Sequence, residues 1–352
     1  MLDALTLERR VAVAPLTHVA VYVLSLAVAG ALALGVLVAV GVPTDALLDE
    51  LVVQVFLSEN GLAKTITIAT PLMLVGLAAA LTLRLRFWNI GIEGQLLIGA
   101  IAATAVALGD IGGPLRLPVM LVAAALGGAL WIAIPLVLRM ALGVSEVVVS
   151  LLLSNVAFLL LQHLLFGAFG DPARQFPTSP VFDDLEKLPR LGLGDMHFGL
   201  VIALIAIVLA AIFVARSRPG FYAAFVADNP LAARTMGFPV QAVLIGSVLV
   251  GGAMAGLAGG IIVSGTEHRL TQFVGLNATF SGIVIAAIAR YRPLWIVPAA
   301  IFIAGLNVAS QSLKVFYGVS EGVVLLIQGI VLLVLVTGQF GAAFKISRTK
   351  AA

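Results

Sequence analysis

Long apolar runs separated by short charged segments constrain this chain more than any other feature. A helix needs about 20 apolar residues to cross the hydrocarbon core of a bilayer, and such runs recur along the whole sequence. Of the 352 residues, 61% are hydrophobic and only 11% are charged, whereas a soluble domain usually carries about 25% charged residues. The composition excludes a soluble globular fold and predicts an all-α polytopic membrane protein.

Ten segments are apolar enough to be predicted as transmembrane helices. The eighth is short, so residues 280–289 are predicted as a half-spanning or broken helix, and nine spans is the competing count. Ten spans divide into two halves of five, and an odd number per half predicts two inverted five-helix halves. The predicted spans are roughly 19–40, 63–83, 90–108, 119–138, 147–166, 198–215, 241–263, 278–289, 294–312 and 322–338.

The positions of Lys and Arg predict the orientation of these spans. With a cytoplasmic N-terminus, 13 of the 20 Lys and Arg residues fall on the cytoplasmic side, as the positive-inside tendency requires. Both termini are therefore predicted to be cytoplasmic. The predicted organisation is a cytoplasmic segment (1–18), a transmembrane domain (19–340) with an outer loop (167–197) and a cytoplasmic loop (217–240), and a cytoplasmic tail (341–352).

Glu93 is the ionisable residue of most interest, because a carboxylate inside a membrane span is costly and often functional. It lies four residues after Asn89, so the two share a helix face. A second interpretation stays open beside the functional one. Glu93 is close to the predicted start of its span, where a carboxylate complements the positive helix N-terminus and Asn89 is a candidate cap.

The other polar residues of the spans are amides and hydroxyls, which commonly hydrogen-bond neighbouring helices. As a set they suit a pathway for a neutral polar solute. Proton or sodium coupling usually needs several buried carboxylates, and this chain has one candidate. The candidate pathway residues are Asn89, Glu93, Gln95, Asn155, Phe280, Ser281, Asn307 and Gln311.

The spans contain a repeat of small residues, and the sequence lacks two common motifs that bind nucleotides or zinc. Gly252, Gly256 and Gly260 lie four residues apart and form a face that lets another helix approach closely, either within the chain or from a partner. The sequence contains no P-loop and no H-E-x-x-H motif. It also lacks cysteine. No catalytic residue and no metal site is therefore predicted.

The cytoplasmic loop contains helix-forming residues on both sides of Asp228, Asn229 and Pro230. Asp or Asn is a favourable helix cap and Pro a favourable first helical residue. The loop is thus predicted to hold a short amphipathic helix. A docking role and a plain connecting role both stay open from the spacing.

Four segments of the chain resemble the sequence motifs of one family. Residues 86–95 (RFWNIGIEGQ) resemble its "FNIGxEGQ" signature. Residues 144–148 (VSEVV), followed by Asn155, are similar to "V-N-E-V…N", with Ser145 in place of the usual Asn. The family that these motifs resemble is that of the ABC importer permeases for nucleosides and simple sugars, within the group of branched-chain amino acid and ribose permeases.

The other two segments lie further along the chain. Residues 227–237 (ADNPLAARTMG) are similar to the "G-x-N-P-x-A-A-x-x-x-G" coupling region of the family. Residues 280–286 and 290–293 resemble its "G-I-A-V-A-L-L-G-x-x-x-P" stretch, although Ile288, Ala289 and Arg290 replace the expected Leu-Gly pair. The resemblance runs from about residue 64 to residue 338, in the order of the family.

The resemblance implies a non-enzymatic permease subunit of an ATP-driven importer in a prokaryotic cytoplasmic membrane. The chain itself is expected to bind no cofactor, because ATP and Mg²⁺ bind to separate cytoplasmic ATPase subunits. The expected partners are those ATPases, an extracytoplasmic solute-binding protein and a second permease, either a shorter paralogue or an identical copy. The residues expected to couple to the ATPase are Asp228, Asn229, Pro230, Ala232, Ala233, Arg234 and Gly237.

The resemblance also favours a nucleoside or nucleobase as the solute, moved by alternating access. A simple sugar such as a pentose, or a branched-chain amino acid, is the alternative within the same class. An ATP-independent channel or facilitator is the alternative from a different class.

Overall fold

The computed structural model describes residues 4–9, 15–173, 176–275 and 277–349, and most of them are helical. Two strands lie at the ends of the described chain, β1 (Ala4–Arg9) and β2 (Phe344–Thr349). Two π-helices (Asp49–Leu57 and Ile262–Thr266) and two 3₁₀ turns (Gly113–Leu115 and Asp184–Glu186) lie between longer elements. The α-helices are α1 (Pro15–Ala39), α2 (Thr44–Leu48), α3 (Glu59–Leu83), α4 (Ile92–Leu108), α5 (Arg116–Leu142), α6 (Glu146–Leu165), α7 (Gly199–Arg216), α8 (Arg218–Asp228), α9 (Pro230–Thr235), α10 (Val240–Ile261), α11 (Ala278–Ile288), α12 (Pro293–Tyr317) and α13 (Glu321–Ala343).

Each of the ten predicted spans corresponds to a helix, namely α1, α3 to α7 and α10 to α13. Within the described residues, seven helices are long and apolar enough to cross a membrane. Three apolar helices are shorter, among them α11 with 11 residues. At 1.5 Å per residue α11 is roughly 16 Å long, about half of a hydrocarbon core. A multi-pass helical membrane protein is confirmed, and the count of ten complete crossings stays a prediction.

The chain packs as two compact units, one formed by Met1–Gln54 with Leu306–Ala352 and one by Val55–Gly305. This division differs from the predicted pair of inverted five-helix halves, which stays a prediction. In the first unit α1 packs along α13. Their core includes the buried side chains of Leu37, Leu313 and Ile327.

A two-stranded terminal ribbon accompanies the helical fold. β1 pairs with β2 in an antiparallel ribbon, with Ala4 opposite Thr349 and Arg9 opposite Phe344. Both strands lie within the predicted terminal segments, 1–18 and 341–352. The flanking helices also reach into those tails, because α1 begins at Pro15 and α13 ends at Ala343.

Helix α10 occupies the middle of the second unit, where it packs against α3, α4 and α5. Its predicted small-residue face lies on these neighbours. A methyl group at Gly256 would overlap the carbonyl oxygen of Ala124, one at Gly252 would overlap Ile132, and one at Gly260 would press on Ala124. The close neighbours of this face are therefore internal helices, which settles the choice that the spacing left open.

The predicted outer loop (167–197) is irregular apart from its 3₁₀ turn, and it folds against the segment that follows α10. Backbone N–H groups of Ser179, Phe182 and Leu188 donate to the carbonyl oxygens of Leu270, His268 and Ser264, at 2.8–2.9 Å. In a regular helix, backbone N–H and C=O groups pair within the segment. In this irregular loop the three bonds to the following segment satisfy them instead. The loop is consequently an ordered layer over the adjoining helix ends.

Candidate functional site

The signature segment forms a tight connection between α3 and α4, closed by a pair of amide side chains. Asn89 Nδ2 donates to Gln95 Oε1 at 3.0 Å, and Gln95 Nε2 donates back to Asn89 Oδ1 at 2.8 Å. Asn89 Oδ1 also accepts a bond from the backbone N–H of Gly91 at 3.2 Å. Both side chains are fully buried. Because each amide satisfies the other, the two residues hold the turn in this structure, and their assignment to a pathway stays a prediction.

The two glycines of the signature allow α6 to lie directly against the start of α4. A Cβ at Gly91 would come within 2.7 Å of the Ser150 carbonyl oxygen, and one at Gly94 within 2.8 Å of the Ser154 Cα. The Ser154 hydroxyl accepts a bond from the Gly94 N–H at 3.2 Å. Any larger side chain at either glycine would therefore push the two helices apart.

An ion pair fixes the signature segment to the turn between α5 and α6. Arg139 Nη1 lies 2.6 Å from Glu146 Oε1 and also donates to the carbonyl oxygen of Arg86 at 3.2 Å. The same Glu146 oxygen accepts a bond from the Trp88 N–H at 3.3 Å. The Arg139 guanidinium additionally lies 5.4 Å from the centre of the buried Phe87 ring, within cation–π range. The second family segment is thereby joined to the first.

Thr279 joins α11 to the same segment. Its hydroxyl donates to the carbonyl oxygen of Ile90 at 3.3 Å and accepts a bond from the Glu93 N–H at 2.9 Å. Glu93 lies in the first turn of α4 and is partly buried, the position in which a carboxylate is favoured by the helix dipole. This geometry supports the helix-end interpretation of Glu93.

A short helix predicted in the loop 217–240 is present as α9. Asn229 Oδ1 accepts bonds from the N–H groups of Leu231 and Ala232, both at 3.1 Å, and Pro230 is the first helical residue. Helix α8 ends immediately before this cap. Ala233 is fully buried. It belongs to an apolar cluster with Leu85, Ala223, Val226, Val240 and Val243.

One face of α9 is left exposed by this packing. Leu231 is 71% exposed and Met236 is 52% exposed, and Arg234 and Thr235 are exposed beside them. Gly237 then adopts a left-handed φ of +78°, which a glycine accommodates without steric cost. The helix thus presents an apolar and basic surface that nothing in the described chain covers.

The other three family segments, or residues directly beside them, contact residues 86–94, which we call the signature hub. The hub contacts the second segment through Glu146, the α11 segment through Thr279 and the cytoplasmic loop through Arg86, whose Nη2 donates to the Asp228 carbonyl oxygen at 3.3 Å. Contacts of this kind can transmit a displacement between rigid helices. The geometry links the exposed loop to the start of α4.

The remaining predicted pathway residues are not gathered in one place. Asn155 is on an exposed face of α6, and its Nδ2 donates to the Leu151 carbonyl oxygen of the same helix. Ser281 is buried and Phe280 partly buried in α11. In the first unit, Asn307 Oδ1 accepts a bond from Gln328 at 3.0 Å. Gln311 is exposed one turn further along α12.

Several residues of the hub's surroundings were not predicted. Arg139 counted only among the charges that predict the orientation, and Thr279 was given no role. A signal for Arg139 was present, since it lies in the last turn of α5 and the acidic Glu146 begins α6 after a short turn. No comparable pattern marks Thr279.

The fold defines a multi-pass helical membrane protein. Residues 61–336 match the family described as "Branched-chain amino acid transport system / permease component". This match covers most of the chain, so the chain belongs to that family of ABC transporter permeases.

Individual relatives agree with the family. The chain is 36% identical to a glucose ABC transporter permease protein of Haloferax volcanii over 336 residues, which cover 91% of this chain and 88% of the relative. It is 30% identical to a guanosine ABC transporter permease protein of Bacillus subtilis, over 82% of this chain and 84% of the relative. It is 27% identical to a nucleoside ABC transporter permease protein of Lactococcus lactis, over 75% and 76% respectively.

Proposed function

We propose that this chain is the translocation subunit of an ATP-driven importer, working by alternating access with separate cytoplasmic ATPases. The observation that carries the proposal is the signature hub. It connects the exposed loop of α8 and α9 to the first turn of α4 through named hydrogen bonds. An ATPase that moves α9 would displace the hub as well, and so shift the population between outward and inward openings.

The exposed face of α9 supplies the contact for the ATPase in this proposal. Its apolar residues Leu231 and Met236 flank the basic Arg234, a composition typical of protein interfaces with aromatic, Met or Arg anchors. Asp228, Asn229, Pro230, Ala232, Ala233 and Gly237 form and cap the helix that carries this face. They act in the proposal by holding it in place.

A variant of the exposed face tests the docking role. Leu231→Asp with Met236→Asp is expected to abolish solute-stimulated ATP hydrolysis in the reconstituted importer, while the isolated ATPase keeps its basal rate. Leu185→Asp is the matched control, because Leu185 is also an exposed leucine, at 56%, but lies in the predicted outer loop. Full stimulation in the double variant would contradict the docking role.

Sidedness is directly testable because the chain has no cysteine. We propose that α9 and both termini are cytoplasmic. The pairing of β1 with β2 supports this, since it holds the two terminal segments on the same side. In intact cells a membrane-impermeant maleimide is expected to label Leu185→Cys and to spare Leu231→Cys until the membrane is opened. The reverse pattern would invert the topology.

The solute in this proposal is a neutral molecule that carries a sugar ring, either a nucleoside or a simple sugar. The relative with 36% identity is named for glucose, and the relatives with 30% and 27% identity are named for guanosine and nucleosides. Guanosine and glucose share a polyhydroxylated ring, which amides and hydroxyls recognise without charge. Competition by guanosine, ribose and glucose for uptake by the complete importer separates the two candidates.

The importer also requires a solute-binding protein and a second permease in this proposal. An ATP-independent facilitator is the rival function, and it predicts solute flux in liposomes that contain this chain alone. Flux that needs the ATPases and ATP supports the importer, and flux without them supports the facilitator.

A further inference from the structure

A basic cavity of about 560 Å³ lies between the ends of α3 and α7, helix α8 and the connection from α11 to α12. Four arginines line it, Arg84, Arg86, Arg290 and Arg292, against a single carboxylate, Asp228. None of the four arginines forms a salt bridge with a carboxylate among the described residues. The cavity therefore carries an excess of positive charge that the described chain leaves unneutralised.

The backbone around this cavity is held in an uncommon conformation. Arg86, Arg290 and Tyr291 all have a left-handed φ, of +59°, +50° and +57°. Such conformations are unfavourable for side chains other than Gly, Asn or Asp, and they concentrate at functional sites. Arg86, Arg290 and Tyr291 all line the cavity. Their backbone is therefore more strained there than at a standard helix end.

The charges of the cavity influence one another. Burial lowers the pKa of Arg84, the carboxylate of Asp228 opposes this effect, and the positive charge of Arg292 lowers the pKa further. A guanidinium stays protonated in a protein despite such shifts. An anion placed among these side chains would relieve the repulsion.

A second cavity, of about 640 Å³, is apolar and lies between α3, α7 and α10. Leu77 and Leu81 line it from α3, and Arg84 of the basic cavity follows on the same helix face, at i, i+4 and i+7. On α7, Ala210 lines the apolar cavity and Val214 lines the basic one, again four residues apart. The two cavities thus follow each other along the same faces of two helices.

The position of the arginines corresponds to a membrane surface. They follow the apolar helices α3 and α11 and precede α12. Trp88 and Trp295, exposed at 55% and 61%, lie within a few residues of them, and exposed Trp is typical of the interface between lipid and water. Basic pockets between membrane helices at this level bind anionic lipid headgroups.

We propose that one anionic phospholipid occupies both cavities, with its phosphate among Arg84, Arg290 and Arg292 and an acyl chain between α3, α7 and α10. The lipid would brace α8 against the end of α3. An acidic side chain of a protein partner fits the arginines but leaves the adjoining apolar cavity without an occupant, so the lipid is the occupant that accounts for both.

The test counts bound phosphatidylglycerol by native mass spectrometry of the full chain released from nanodiscs of phosphatidylcholine with phosphatidylglycerol. Arg290→Gln with Arg292→Gln is expected to weaken phosphatidylglycerol binding about thirtyfold, which corresponds to about 2 kcal/mol at roughly 1 kcal/mol per basic residue. Arg216→Gln with Arg218→Gln is the matched control, since both are exposed arginines outside the cavity lining. It should bind as the unmodified chain does.

A second variant tests the acyl chain and does not depend on the arginines. Gly246 lines the apolar cavity, and a Cβ there meets no atom within 4 Å. Gly246→Leu should therefore fill the cavity without disturbing α10 and displace the lipid. Gly30→Leu, also in open space but on α1, should not.

Three results would overturn the proposal. Unchanged phosphatidylglycerol occupancy in the Arg290→Gln, Arg292→Gln variant removes the headgroup site, whereas the charge-retaining Arg290→Lys, Arg292→Lys chain should bind as the unmodified chain does. Full competition by soluble glycerol phosphate assigns the cavity to a free phosphate. Normal lipid binding with lost ATPase binding assigns the arginines to the protein partner.

Discussion

The carbonyl oxygen of Asp228 accepts a hydrogen bond from the guanidinium of Arg86 at 3.3 Å. Asp228 is the last residue of α8, directly before the Asn229 cap. Arg86 is the first residue of the signature hub. The bond joins residues 142 positions apart. It is a direct connection between the loop of α8 and α9 and the signature hub.

Removing this bond should weaken coupling without unfolding the chain. Arg86→Met keeps the aliphatic stem and loses the donor. A single exposed hydrogen bond contributes about 0.5–1.5 kcal/mol, so solute-stimulated ATP hydrolysis is expected to fall about two- to tenfold. Arg218→Met, an exposed arginine of α8, is the control. Equal stimulation in both variants would show that the bond transmits nothing.

Glu146 is expected to contribute to stability, because one carboxylate oxygen serves two partners. Glu146→Ala removes the acceptor of the Trp88 N–H and the carboxylate partner of Arg139, which keeps its bond to the Arg86 carbonyl oxygen. The Glu146 side chain is only 12% exposed. Because Arg139 is partly solvated, the free energy of unfolding should fall by about 1–3 kcal/mol. The unfolding midpoint in detergent micelles measures this change.

The exposed pair of Asp184 and Lys187 provides the matched control for that measurement. Its N···O distance is 3.0 Å, but the Asp184 side chain is 99% exposed, and exposed ion pairs contribute little. Asp184→Ala should therefore shift the midpoint hardly at all. Equal losses in the two variants would mean that burial of Glu146 is irrelevant.

The sequence predicted the helices well because apolar length alone determines where a chain can cross a bilayer. The Asn229 cap and Pro230 start of α9 were also readable, since both act within a few residues. The terminal ribbon was not, because β1 and β2 are paired across nearly the whole chain. The composition of a short segment does not indicate a pairing partner that is so distant in the sequence.

The difference between local signals and long-range contacts also explains which parts of the candidate site could be predicted. An amide in a membrane helix can line a pathway or bond another amide, and its residue type is the same in both cases. Asn89 and Gln95 were assigned to the pathway, yet they bond each other. The hub contacts of Glu146 and Thr279 join residues 58 to 189 positions apart. Only three-dimensional packing brings such residues together.

Gly256 should tolerate no side chain, because α10 touches α5 and α4 there. A Cβ would overlap the Ala124 carbonyl oxygen and the backbone of Gly128. Overpacking of this kind costs about 1–3 kcal/mol or more, so Gly256→Ala should lower the thermal midpoint of the detergent-solubilised chain clearly. Gly246→Ala, in the same helix but with open space at its Cβ, should leave it unchanged. Because alanine favours a helix more than glycine does, a matching loss at both positions would show that the close packing at Gly256 is not its cause.

His197 should make the chain less stable in acid. It is buried beneath Gly199 and Gly265, accepts the Gly199 N–H at Nδ1 and contacts the Thr266 hydroxyl at Nε2. Burial, with a smaller effect of the charge on His268, lowers the pKa of His197 to about 4.

The unfolded chain therefore takes up this proton first, near pH 6.5. The stabilisation is complete above that pH and is lost as the pH falls toward about 4. Between about pH 7.5 and pH 5, the thermal midpoint of the unmodified chain should drop more than that of His197→Gln, which has no titrating ring. His163→Gln, at an exposed histidine of α6, should keep the full drop. An undiminished drop in His197→Gln would assign the acid sensitivity to other groups.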